Sequence, residues 1–182
     1  MTSAKLATDM PFPHITVPQL GGGTLDLGAR AEGYDWKLVV VYRGKHCPLC
    51  TRYLQELEQA LTEFHDIGVD VATVSADSEE RATAQIAEVN PSFPVGYDLS
   101  MEQMRELGLY ISGVRNGQDV ERPFAEPGLF VVNEEGKLQI IDISNAPFAR
   151  PPIASMLMGL RFYRGLKEEF PVNGSQAALE AA

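Results

Sequence analysis

An α/β fold, in which strands and helices alternate before a closing hairpin and a last helix, is predicted by three features of the sequence. Two short apolar, β-branched runs, residues 37–42 and 69–75, have the composition of buried strands. A stretch of helical periodicity follows each of them. Residues 129–132 and 137–143, joined by Asn133-Glu134-Glu135-Gly136, then carry the clearest hairpin signal in the chain.

In chain order, residues 1–9 read as a disordered leader, 10–170 as one domain long enough for a sizeable core, and 171–182 as a small, polar, flexible tail. Residues 14–17 and 24–27, separated by Gly21-Gly22-Gly23, form a β-hairpin or two short strands. The triple glycine lacks the spacing of a phosphate loop, and a strand rather than a helix follows it. After the central strand, Leu54, Leu57, Leu61 and Phe64 make the apolar stripe of an amphipathic helix. Beyond the second strand, Asp77 or Ser78 caps a helix that runs to about Val89, with Asp77 and Glu80 at capping-box spacing, and Asn90-Pro91 ends it. Residues 93–95 are a short extended piece. Ser100 and Gln103 repeat the capping-box spacing at the start of a helix that stops at Gly108. Residues 112–127, rich in glycine, proline and charge, read as a loop. Ile153, Met156, Leu157, Leu160 and Tyr163 define the last amphipathic helix, its methionines acting as core filler.

The chemistry lies in Cys47-Pro48-Leu49-Cys50, which holds the two cysteines of the chain. A strand ends before it and a helix begins at it. Pro48 suits the first helical position, where its missing N–H leaves no bond unmade, and this puts Cys47 at the N-cap. Free amides and the positive end of the helix dipole favour a thiolate there. Cys50 lies one turn further on the same face, in reach of a disulfide, and is expected to be the resolving partner. From Trp36 to Gln55 there is no Asp or Glu, whereas Lys37, Arg43, Lys45, His46 and Arg52 are all present. A cation beside a helix N-terminus lowers a cysteine pKa from about 8.5 into roughly the 3.5–7.5 range. His46 is read either as such a cation or as an ordinary exposed loop residue. A zinc site is disfavoured, because there is no second cysteine pair and His14, His46 and His65 lack ligand spacing. A structural disulfide across so short a loop would constrain little of the unfolded chain.

Lys+Arg 15 against Asp+Glu 25 gives a net charge of −10, which makes nucleic acid and anionic membranes poor partners. No apolar run has the length of a membrane span, and residues 1–10 lack the pattern of a signal peptide. The expected location is the cytoplasm, where a C-x-x-C pair works as a dithiol rather than a staple. No metal or organic cofactor is expected.

The order strand, C-x-x-C helix, strand, helix, hairpin, helix resembles the thioredoxin fold. Tyr42-Arg43-Gly44-Lys45-His46-Cys47-Pro48-Leu49-Cys50 is similar to a stretch found in its peroxiredoxin-like branch, the AhpC/TSA or redoxin group. The likeness extends over roughly residues 11–168, including the Gly128-Leu129-Phe130-Val131-Val132 strand and the 145–151 loop. It implies a central mixed sheet flanked by helices, with an N-terminal β extension of peroxiredoxin type. It also implies a cis-proline opposite the cysteines, at Glu126-Pro127, where the turned backbone would pair with substrate.

Peroxidatic members surround their cysteine with Pro-x-x-x-Thr/Ser-x-x-Cys and a distant arginine. Here Val40, Gly44 and Pro127 occupy those three places, leaving Arg43, Arg122 or Arg150 to supply the charge. Thioredoxins carry a buried acid six residues before the first cysteine. Here that residue is Val41, so the proton acceptor for Cys50 is water, His46 or nothing specific. The residues favour a thiol–disulfide oxidoreductase in which the Cys47 thiolate attacks a substrate disulfide and Cys50 resolves the mixed disulfide. The resemblance implies the alternative, a thiol peroxidase in which Cys47 becomes a sulfenic acid that Cys50 condenses with. Either needs a thiol reductant, a thioredoxin or a low-molecular-weight thiol, and a homodimer is compatible with both. A non-enzymatic interaction module on the same fold is the third reading, favoured by any exposed apolar patch on the last helix.

Overall fold

The computed structural model describes residues 6–166 and 171–180. The chain opens with the antiparallel pair β1 (Thr16–Pro18) and β2 (Thr24–Asp26). The core elements follow: β3 (Trp36–Val41), α1 (Pro48–Asp66), β4 (Val69–Val74), α2 (Glu79–Val89), β5 (Val95–Gly96) and α3 (Met101–Glu106). The second half comprises β6 (Ile111–Ser112), β7 (Phe124–Ala125), β8 (Gly128–Val132), β9 (Leu138–Ile143), α4 (Ile153–Gly165) and α5 (Gln176–Glu180).

Five strands make one mixed sheet in the order β5-β4-β3-β8-β9. β3 runs parallel to β4 and antiparallel to β8, so the central strand is buried on both edges and both faces. That explains the apolar run Leu38–Val41, since a strand covered on each side has no solvent face to keep polar. Alternate residues divide between two cores. Leu38 and Val40 pack with Leu54, Leu57, Phe64, Leu157 and Leu160 under α1 and α4. Val39 and Val41 pack with Ile15, Val17, Leu27, Met104 and Leu107 on the other face. The fold class is the expected α/β arrangement, with a central mixed sheet between helical layers and a β hairpin leading in.

Several local expectations change. Ser78 is the N-cap of α2 but makes no side-chain cap hydrogen bond, and the Asp77–Glu80 capping box is not formed. The Asp77 carboxylate is taken up elsewhere, as described below. The box at Ser100 and Gln103 is complete. Within 112–127, Ile111 and Ser112 pair with Ala125 and Phe124, so the expected loop is a short hairpin with a long tip. No peptide bond among the described residues is cis, and Glu126–Pro127 is therefore trans. The Glu126 amide donates to the Tyr110 carbonyl at 2.8 Å and Gly128 already pairs with Val41, which carries the chain from β7 into β8 in extended form.

Residues 1–5 of the expected leader lie outside the described residues. Its end is held, with the Asp9 amide donating to the Leu138 carbonyl at 2.8 Å. The expected tail contains α5, and the Thr8 hydroxyl donates to the Asn173 carbonyl at 3.0 Å. On α4, Met156 is core as expected, whereas Met158 and Phe162, one turn apart, are 68% and 66% exposed.

Candidate active site

β3 delivers the chain to the carboxyl edge of the sheet, and residues 43–46 turn it into α1. Cys47 is the N-cap in extended conformation, Pro48 follows at the first helical position, and no acidic residue occupies the first turn. The Cys50 amide donates to Cys47 Sγ at 3.3 Å. Both sulfurs are unbridged, with Cys47 only 2% exposed and Cys50 fully buried. The Cys47 thiol is lowered to about 6: the Cys50 thiol donates to it, burial opposes, and the Cys50 amide and Arg43 add to the lowering. Cys50 is pushed up by the same hydrogen bond and by burial, with Arg150 opposing. The pair thus divides into a thiolate at Cys47 and a thiol at Cys50.

The loop before Cys47 is held by residues distant in sequence. Gly44 has φ of +124°, and a Cβ there would lie 2.5 Å from an Asp77 carboxylate oxygen. Asp77 accepts the Lys45 amide at 2.7 Å and stands 3.4 Å from Arg81 Nε. Gln85 donates to the Gly44 carbonyl at 3.1 Å and to the Thr51 hydroxyl at 3.2 Å, bracing the loop against α1. Arg81 in turn reaches Asp119 at 3.0 Å in the tip of the β6–β7 hairpin.

That hairpin covers the site. Arg43 Nε lies 3.0 Å from Glu126 Oε2, and its guanidinium sits 5.0 Å from the Phe124 ring centre. The Ser112 hydroxyl donates to the other Glu126 oxygen at 2.5 Å. His46 packs on Phe124 with ring centres 4.4 Å apart, and neither ring nitrogen has a hydrogen-bond partner. Burial and the Arg43 charge lower its pKa, so His46 is neutral at neutral pH and adds no charge to Cys47. The local positive charge read from residues 36–55 is accordingly reduced by Asp77 and Glu126, which fold in from elsewhere.

Pro127 stands one residue beyond the Val41–Gly128 pair, at the same sheet edge as the cysteine loop. Its carbonyl accepts the Ser144 amide at 3.0 Å. With a trans bond before it, the turned backbone expected to pair with substrate is absent. Among the alternative arginines, Arg122 is engaged at 2.6 Å with Asp98 on an exposed surface. Arg150 reaches the site, but at Cys50: its Nη2 is 3.4 Å from Cys50 Sγ. Asp77, Arg81, Gln85, Glu126 and Phe124 were not singled out from the sequence as site residues. Only Asp77 carried a signal, lying just past the carboxyl end of a predicted strand. Among the described residues no group of three or more His, Cys, Asp or Glu side chains is placed to hold a metal ion, and no helix is long and apolar enough to cross a membrane.

Residues 8–141 match the AhpC/TSA family. No curated protein sequence matches the chain. Solved structures share its fold. A peroxiredoxin 6 of Arenicola marina is 15% identical with a TM-score of 0.75, over 94% of this chain and 80% of that one. Peroxidoxin BcpB from Mycobacterium tuberculosis is 16% identical with a TM-score of 0.69, over 86% and 97%. The Xanthomonas campestris bacterioferritin comigratory protein, whose alkyl peroxide reduction activity was the subject of its structure, is 21% identical with a TM-score of 0.63, over 82% and 92%.

Proposed function

The chain belongs to the AhpC/TSA family of thiol-dependent oxidoreductases that act on peroxides, and from that premise we propose that Cys47 is the attacking thiolate and Cys50 the thiol that resolves it. The observation that carries this reading is the polarised pair at the start of α1. Cys47 accepts the Cys50 amide at 3.3 Å and its thiol is lowered to about 6, while Cys50 is held as a thiol. At pH 7 a group with that pKa is about nine-tenths ionised.

With a hydroperoxide, the Cys47 thiolate attacks the outer oxygen, the O–O bond breaks, and the alkoxide leaves as an alcohol after taking a proton. Cys50 then attacks the sulfenic sulfur, forming the Cys47–Cys50 disulfide and releasing water. Two equivalents of a thiol, from a thioredoxin-like protein or a small thiol, restore the dithiol. The low exposure of Cys47 favours a small oxidant over a folded protein disulfide. A cytoplasmic location suits a dithiol that must be kept reduced, and we place the working domain within residues 10–170.

Disulfide exchange is the second reading. It is favoured by Val40, Gly44 and Pro127, which stand where the proline, hydroxyl and arginine that activate peroxide are expected. One variant separates the two. If peroxide is the substrate, Cys50→Ser forms a Cys47 sulfenic acid at low peroxide, trapped by dimedone much faster than on a free cysteine of similar pKa. If exchange is the activity, the same protein accumulates mixed disulfides with cellular thiols, and peroxide reacts no faster than the thiolate fraction dictates.

A further inference from the structure

Among the described residues no base other than the Cys47 sulfur is hydrogen-bonded to Cys50. It is fully buried, Val41 occupies the place of a buried acid, and the nearby His46 nitrogens have no hydrogen-bond partner. Yet a resolving cysteine must ionise, because the thiolate and not the thiol attacks sulfur. The group in contact with its sulfur is Arg150, and its setting is specific. Nη2 is 3.4 Å from Cys50 Sγ and Nε donates to the Pro147 carbonyl at 2.9 Å. The guanidinium lies 4.3 Å from the centre of the Tyr53 ring, and the Tyr53 hydroxyl is itself anchored on the Pro151 carbonyl at 2.8 Å. Nη1 is buried with no partner. Arg43 and Arg81 have carboxylates against them, whereas among the described residues none forms an ion pair with Arg150. Its charge is therefore not tied up in an ion pair with any described carboxylate, and a stacked, tethered fork loses little freedom in using it.

We propose that Arg150 is a catalytic residue for Cys50 rather than for Cys47, stabilising the Cys50 thiolate when it attacks Cys47 and again when it leaves on reduction. This rests on the roles assigned to the two cysteines above. The order of events follows from charge. While Cys47 is a thiolate, Cys50 keeps its proton and donates a hydrogen bond to it, and two adjacent buried anions are excluded. Once Cys47 is a sulfenic acid or a mixed disulfide, that negative charge is gone and Arg150 faces Cys50 alone. The Cys50 proton then passes to solvent, the thiolate forms the S–S bond with Cys47, and hydroxide or the substrate thiolate leaves. In the reverse direction a reductant thiolate attacks Cys47 Sγ, the S–S bond breaks, and Cys50 departs as a thiolate against Arg150. Resolution is thereby inactive until the first step is complete.

Dithiodipyridine, an uncharged disulfide, reads both steps in one trace of the reduced protein. Attack by Cys47 releases one thiopyridone with formation of a mixed disulfide, and attack by Cys50 releases the second with formation of the internal disulfide. Removing a cation that lowers a thiol pKa costs thiolate but gains nucleophilicity, so the net penalty is about 3-fold per unit. Arg150→Gln is expected to slow the second release about 3- to 10-fold more than the first, and to move only the second release to higher pH. Arg150→Lys should recover part of that loss, and the first phase of each trace reports whether the site is folded. Equal slowing of both phases, slowing of the first alone, or no change in either overturns the proposal. Cys47→Ser tests the underlying roles separately: if it releases thiopyridone as fast as the unmodified protein, Cys50 is the attacking residue and the reading beneath the proposal fails instead.

Discussion

Three neighbours set the charge on Cys47: the Cys50 thiol donating to it, the Cys50 amide at 3.3 Å, and Arg43. The thiol donor is the largest of them, so it is the one to remove. Alkylation of Cys47 by iodoacetamide is expected to be faster than that of Cys50 and to rise with pH around a midpoint of about 6. Cys50→Ala removes the donor, destabilises the thiolate relative to the thiol, and should move that midpoint upward by about a unit or more, toward the free-cysteine value of about 8.5. A midpoint that stays in place would assign the effect to the helix terminus and Arg43. This part of the site was legible because it is local: a strand, a cysteine, a proline and a helical stripe in consecutive residues suffice to put Cys47 at an N-cap. The role of Arg150 was not, since 100 residues separate it from Cys50 and nothing in the 145–151 loop distinguishes one cysteine from the other.

β4 and α2 contribute to the site through their junction. Asp77, three residues past the end of β4, could have capped α2; instead its carboxylate fills the space that a side chain at Gly44 would need and accepts the Lys45 amide. A capping box is a local pattern, and a partner 32 residues away that offers an unsatisfied amide can outbid it. Gly44 has the positive φ that side chains avoid. Gly44→Ala is expected to cost roughly 1–3 kcal/mol through backbone strain, with a collision against Asp77 on top. Asp77→Ala should cost about 1–3 kcal/mol by leaving the Lys45 amide without its acceptor, while Arg81 keeps Asp119. The two are coupled, because the second change removes the atoms the first collides with. Urea unfolding of the double variant should show a loss smaller than the sum, by about 0.5 kcal/mol or more. Strict additivity would mean that the loop shifts away from Asp77 on its own. The β6–β7 hairpin was missed for a related reason: paired segments of two residues, set among glycine and proline, are too short for alternation to register, and what fixes Phe124 is its packing on His46 and Arg43.

Across the whole molecule, the sheet separates stability from chemistry by its two ends. Lys37 was counted with the positive surroundings of Cys47, but it sits near the start of β3, four residues before Val41 and so about 13 Å along the strand from it. There it pairs with its register partner Asp70, Nζ to Oδ2 at 2.7 Å, both side chains almost fully buried. Asp70 also accepts the Ala31 and Val71 amides, each at 2.9 Å. Breaking such a pair leaves an uncompensated charge in the interior, which typically costs about 3–5 kcal/mol. Asp70→Ala should incur that full loss, since it strands the Lys37 ammonium and two amides together. Lys37→Met should cost less, because Asp70 keeps both backbone donors and the methionine stem replaces most of the lysine contacts. Urea unfolding measures the order of the two. Neither change should move the pH midpoint of Cys47 alkylation as far as Cys50→Ala does, since the single charge each leaves acts from a distance through protein and water, whereas Cys50 hydrogen-bonds the Cys47 sulfur directly. If Asp70→Ala shifts that midpoint as far as Cys50→Ala does, the two ends are coupled through the strand and the division fails.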